Sequence, residues 1–361
     1  MKKKSLLHLL LALSAFVFVF VSCSDDNDDP EYFGDYTSIV VNQGNLSEKN
    51  GSISYYRESD NAIANGVFKK ANGREFASII ESATVSGTTA FIICNEPSKI
   101  EIIDVNTAKT LSAPIEADGL ATPRYAVISG DYIYVSCWGE KQPDYTFVNP
   151  CVLKIKISSK EIIKKIDYAA DSYPEGLLLM GNKLYVAING GVDVYDTTTD
   201  TKINTISFTS LSGKACQFAI DKNGMIWCSV ENYDMTNDKK GIVVLSPQDL
   251  TVVNEIAGYN VSGQISINKA KDKVIFYSIV YGDKNKSSVY TIDIETKTVT
   301  EEPLFEGEYF YGINVNPKTG IFYTAEVFGF TGNSMLKTFN EQGALVKQAE
   351  AGVGACRFVF F

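Results

Sequence analysis

From residue 37 onward the chain is built from short stretches in which apolar and polar residues alternate. The clearest is Val289-Tyr290-Thr291-Ile292-Asp293-Ile294-Glu295-Thr296-Lys297-Thr298-Val299, which alternates and then turns through Asp, Glu, Thr and Lys. A period of two ending in such residues predicts β-strands joined as hairpins. Two units recur. The first is an apolar strand, a short Gly/Asn/Asp turn and a second apolar strand. It spans Phe76–Cys94, Pro123–Cys137, Pro174–Ile188, Cys216–Val230, Gln264–Val280 and Phe310–Val327. The second unit alternates apolar and polar residues and begins near Ser52, Lys99, Val152, Gly191, Gly241, Ser288 and Ser334.

The spacing of roughly 40 to 52 residues is that of a four-stranded propeller blade. Half-copies remain at the two ends. Thr37–Val41 and Ile53–Tyr56 lack an inner strand, and Cys356–Phe361 is an inner strand without partners. Joined, they complete a blade and remove the open edges of the ring. The expectation is an all-β, seven-bladed β-propeller closed by pairing the C-terminal inner strand with the N-terminal strands.

Strand order assigns the loops to faces. With strands a to d counted outward from the axis, a–b and c–d turns share one face, and b–c and d–a connections share the other. The a–b and c–d turns read as tight and uniform. The b–c connections vary in length, from Asn189-Gly190 to Trp138–Pro150. Variable loops on a rigid scaffold are where binding surfaces are built. The b–c loops of this face supply Gln43, Asn45, Asn95, Glu96, Trp138, Asn189, Asn232, Tyr233, Tyr281 and Phe328. The starts of the inner strands supply Arg124, Tyr125, Tyr173, Glu175, Gln217, Gln264, Tyr311 and Arg357. Aromatic planes mixed with amides and few charges predict a site for a large uncharged or zwitterionic organic ligand.

The first residues read differently. Lys2-Lys3-Lys4 and the apolar run Leu6–Val21 form an export signal over residues 1–22. Cys23, after Phe20-Val21-Ser22, resembles the lipidated cysteine of a lipobox, although Phe20 stands where Leu is usual. Residues 23–36 open on Ser24-Asp25-Asp26-Asn27-Asp28-Asp29 and read as an acidic tether to a propeller at 37–361. The Cys-Ser-Asp-Asp start also resembles the acidic export signal of Bacteroidetes surface lipoproteins.

Composition narrows the chemistry. The formal net charge is -10, and loss of the leader removes three lysines more, which disfavours nucleic acid as a partner. The one histidine, His8, lies in the leader. A mature chain without imidazole excludes Ser-His-Asp and Cys-His chemistry and His-ligated metals, and no zinc spacing or calcium loop is present. The expectation is a binding protein, not an enzyme, with no cofactor or metal. Carboxylates Glu96, Glu175, Glu231 and Glu326 facing one pocket would be the alternative, a lyase or hydrolase. Cys137 and Cys151 bracket the long b–c loop and are a candidate disulfide. Cys216 and Cys228 fall on paired strands, where burial as small apolar residues is an equal reading.

Val41-Asn42-Gln43-Gly44-Asn45 with Asn50-Gly51-Ser52-Ile53-Ser54-Tyr55-Tyr56, Pro123-Arg124-Tyr125 with Tyr134–Gly139, and Pro174-Glu175-Gly176-Leu177 resemble a Bacteroidetes family of YncE-like propeller lipoproteins. The likeness covers residues 37–361 and includes the BtuG-type surface proteins. What it implies is capture of cobalamin, or another corrinoid, at the cell surface and its transfer to a TonB-dependent outer-membrane transporter. The chain would then be monomeric apart from that transporter. Capture of a siderophore or other metal chelate, or a protein-interaction role, are the alternatives.

Overall fold

The computed structural model describes residues 32–231 and 239–361. Cys23 with the export signal and the acidic run Ser24–Asp29, and also Asn232 and Tyr233, lie outside the described residues. Seven four-stranded antiparallel sheets form a β-propeller. The inner strands of blades 1 to 6 are Ile79–Ser86, Pro123–Ser129, Leu177–Met180, Lys214–Ile220, Ile265–Ile267 and Phe310–Val315. Blade 7 is composite. Its inner strand, Ala355–Phe360, pairs antiparallel with Ser38–Asn42, placing Val359 opposite Ile39 and Phe358 opposite Val40. Each inner strand touches the next, and Ala355–Phe360 touches those of blades 6 and 1, so the ring is closed as expected.

Why these sequences form blades is visible in their second strands. Phe91-Ile92-Ile93-Cys94 is buried throughout: Ile92 and Cys94 pack toward blade 7, while Phe91 and Ile93 pack toward blade 2. A strand buried on both faces needs an unbroken apolar run. Seven apolar clusters result, one at each blade–blade interface; Tyr134 and Val152 with Leu184 and Val186 make the one between blades 2 and 3. Outer strands such as Ile162–Asp167 lie at the edge and are largely solvated.

Three features depart from the expectation. A short helix, Val67–Asn72, connects blade 7 to blade 1 and holds Phe68 stacked on Phe76 at 3.8 Å. Six residues are too few to show helical periodicity. Within the stretch read as tether, Phe33 is buried and Tyr36 packs against the same cluster, with the Phe33 and Tyr55 rings 5.0 Å apart. The a–b turns are not uniform either. They are two residues long in blades 1 to 3 but span residues 221–225, 268–272 and 316–321 in blades 4 to 6.

Candidate functional site

The inner strands carry a β-bulge at one level of the ring. An extra residue stands at Glu81 between Ile80 and Ser82, at Arg124-Tyr125, at Cys216-Gln217, at Tyr311-Gly312 and at Cys356. A bulge turns a side chain out of the alternation of its strand. Freed backbone groups are taken up from the neighbouring strand: Tyr125 N–H donates to Ser136 Oγ at 3.1 Å and Gln217 N–H to Ser229 Oγ at 3.0 Å. Gly176 lets the chain pass close by, because a Cβ there would lie 2.1 Å from the Cys216 carbonyl oxygen.

Above the bulges, toward the b–c loops, is an axial chamber of about 220 Å³ to which every blade contributes. Its charged wall consists of Glu81, Glu175 and Glu231 against Arg124, Lys214 and Arg357. Arg124 sits at the centre. It donates to Glu175 through Nε at 3.3 Å and Nη2 at 2.7 Å, and Nη1 lies 2.7 Å from Glu81 Oε2. Trp138 closes over this pair: its Nε1 donates to Glu175 at 2.7 Å, and the Arg124 guanidinium lies 4.0 Å from its ring centroid. Lys214 stands 3.9 Å from both Glu175 and Glu231. Gln43 accepts from the Tyr311 hydroxyl at 2.9 Å, and Gln264 amide donates to the Tyr311 and Cys356 carbonyls. The chamber is thus charge-balanced and ringed by fixed dipoles, the arrangement that suits a zwitterionic or polyamide surface.

The protonation states follow from burial and pairing. Burial acts most strongly on Glu175 and pushes it upward, but Arg124, Lys214 and Arg357 together outweigh it and hold the carboxyl below the ordinary range. Arg124 is driven further up by Glu175 and Glu81 despite its own burial. Burial raises Tyr125 to about 12, with Arg357 opposing and Glu175 and Glu81 adding to the rise. A carboxylate held ionised in this way has no proton to give as a general acid near neutral pH.

The expected site residues divide. Gln43, Arg124, Tyr125, Glu175, Gln264, Tyr311 and Arg357 line the chamber. Trp138 roofs it, with the Tyr173 ring 5.6 Å from the Trp138 ring and Gln217 bonded to the Tyr125 hydroxyl below. The others do not converge. Asn45 shapes its own loop, accepting from Ser47 N–H and donating to the Phe330 carbonyl. Asn95 donates to the Pro123 carbonyl, and Asn189 is exposed. Glu96 is tied to Lys49 at 2.5 Å and Lys141 at 3.4 Å and does not line the chamber. Tyr281 and Phe328 are 63% and 51% exposed, outside the chamber. The carboxylates are likewise split, with Glu326 paired to Lys337 at 2.7 Å.

The wall is also more charged than the sequence reading allowed. Glu81 and Lys214 were missed, together with Cys216, Ser262, Gly263, Tyr277 and Cys356. For Glu81 a signal existed: a lone carboxylate inside Ile79-Ile80-Glu81-Ser82-Ala83, a strand meant to be apolar. All six described cysteines are buried free thiols. Cys137 and Cys151 stand directly opposite each other on paired strands, and Cys216 and Cys228 are out of register. Among the described residues no cluster of side chains is arranged to hold a metal ion, and no helix is long and apolar enough to cross a membrane.

No curated protein matches the chain. Among solved structures, a quinonprotein alcohol dehydrogenase-like protein from Bacteroides thetaiotaomicron superposes with a TM-score of 0.67 at 11% identity, covering 91% of this chain and 79% of that one. Hydrazine synthase of Kuenenia stuttgartiensis gives 0.62 at 17% identity over 76% and 87%. The β-propeller domain of Cps50 (Swd1) from Myceliophteria thermophila gives 0.53 at 12% over 79% and 92%. Such identities speak for the fold alone, the β-propeller. The family model described as "Domain of unknown function (DUF5074)" matches residues 36–353, and the chain belongs to that family.

Proposed function

We propose that the protein is a lipid-anchored binding propeller of the outer membrane, facing the cell exterior, that captures a large organic ligand on its b–c loop face. A corrinoid such as cobalamin is the first candidate, with a TonB-dependent transporter receiving it. The observation that carries the binding reading is the axial chamber, where balanced buried charges, amides and a tryptophan converge from all blades. Its volume of about 220 Å³ is below the range of about 300–1,000 Å³ typical for drug-sized ligands, so a corrinoid would insert only a polar edge. The body of such a ligand would lie across the rim, where Tyr145, Tyr281 and Phe328 are exposed. Aromatic faces of this kind are also suited to contact with a transporter. Catalysis is the weaker reading, because the buried carboxylate of Glu175 is locked as an acceptor by Arg124 and Trp138.

Isothermal titration with cyanocobalamin tests the assignment. Saturable heat that is lost in Trp138→Ala is expected. No heat and no co-purified chromophore would overturn the corrinoid, and heat with a ferric siderophore instead would replace the ligand while keeping the binding role.

A further inference from the structure

A second chamber lies on the axis beyond the bulges, toward the a–b turns. Tyr125 and Arg357 line both chambers and divide them. Gln217 Nε2 donates to the Tyr125 hydroxyl at 3.1 Å, and the Arg357 guanidinium contacts the same oxygen while lying 5.4 Å from the ring centroid. This lower chamber measures about 560 Å³, inside the range of about 300–1,000 Å³ usual for organic ligands.

Its wall differs in kind from that of the upper chamber. Leu177, Phe218, Ile267 and Phe358 give it apolar sides, and Asn268 and Asn314 add amides. Lys269 and Lys271 are exposed at its mouth, on the longer turn of blade 5. Arg357 stands at the closed end, where its Nη2 lies 3.8 Å from Glu81 of the upper chamber and its buried Nε has no hydrogen-bond partner among the described residues, so the uncompensated positive charge is that of Lys269 and Lys271 at the mouth. Among the described residues no carboxylate lines this chamber. All three charged lining residues are basic although acids outnumber bases in the chain, 43 to 33, and Asp272 on the same turn accepts from Asn268 at 2.7 Å. A cleft of one sign with low-dielectric walls concentrates ligands of the opposite sign.

We propose that the lower chamber is a second binding site, for an organic anion with an apolar body: a carboxylate or sulfonate on an aromatic or branched aliphatic frame. The apolar body rests against Phe218, Ile267 and Phe358, and the anionic head lies between Lys269 and Lys271 at the mouth. The site opens on the face opposite the b–c loops and does not depend on what those loops bind.

Anilinonaphthalene sulfonate, whose fluorescence rises in apolar surroundings, is a probe of this class, and uncharged phenylnaphthylamine is its control. Titration of the full chain should give saturable one-to-one binding of the sulfonate, with the neutral probe at least about tenfold weaker. Lys269→Glu combined with Lys271→Glu should weaken the sulfonate at least about tenfold without lowering Tm. Lys164→Glu with Lys347→Glu, on outer strands, should leave binding unchanged, because only general charge is altered there. Absence of saturable binding, equal affinity for the two probes, or equal effects of the two charge reversals would overturn the site.

Discussion

At the scale of single residues, the chamber is governed by Glu175. It is buried, accepts two bonds from Arg124 and one from Trp138, and has Lys214 close by. Removing one partner of a buried ion pair leaves the other uncompensated, at a cost of about 3–5 kcal/mol. Glu175→Gln should lower stability by less than that, about 1–3 kcal/mol in denaturant melts, because Arg124 keeps Glu81 at 2.7 Å and Lys214 keeps Glu231. The pH dependence has a definite sign. Because the carboxyl is held below its ordinary range in the folded chain, the unfolded chain binds more protons as pH falls. Its contribution is complete above the unfolded pKa and is lost as pH drops through the folded one. Glu175→Gln should flatten stability against pH in that acidic window; an unchanged slope would show that the pairing is not what holds the proton off. Arg124 and Glu175 were legible as site residues because they follow Pro123 and Pro174 at inner-strand starts. Lys214 was not, because it precedes a Cys-containing apolar run, and only the ring brings it within 3.9 Å of Glu175.

At the scale of elements, the longest described b–c connection folds as a hairpin, Glu140–Lys141 against Phe147–Val148, whose Phe147 packs edge-on against Trp138 at 5.1 Å. The chain has two tryptophans, and the other, Trp227, is fully buried with its Nε1 bonded to Asp221 at 2.8 Å. Fluorescence therefore resolves the roof of the chamber. Replacing residues 140–148 by a two-residue glycine turn should red-shift the Trp138 emission and raise its quenching by acrylamide. Tm should move by only a few degrees, since the hairpin lies outside the blade interfaces. Unchanged quenching would mean that the hairpin does not cover Trp138. Strand positions were legible here because periodicity two is a local property. The bulges were not, since an extra residue in one strand is defined only by its partner.

At the scale of the whole molecule, closure rests on one short strand. Ala355–Phe360 supplies Cys356 to the interface with blade 1 and Phe358 to that with blade 6. A chain ending at Gly354 loses both and exposes the edge of Ser38–Asn42. Such edges template aggregation. The truncated protein should melt well below the full chain and form soluble oligomers in light scattering; an unchanged Tm would count against closure by this strand. Arg357 leaves with the same strand, so both chambers lose their dividing wall.

The sequence by itself determined the blade: strand periodicity, turn residues, repeat number and the leftover half-copies that must meet. These are local or countable features, and each is enforced by burying one or both faces of a strand. The tertiary structure decided the site. Which side chains leave the alternation at a bulge, how far charges from distant repeats stand apart, and that the axis is divided into a balanced chamber and a cationic one all depend on closure of the ring. Charges separated by tens or hundreds of residues acquire meaning only when their distance and their burial are both fixed.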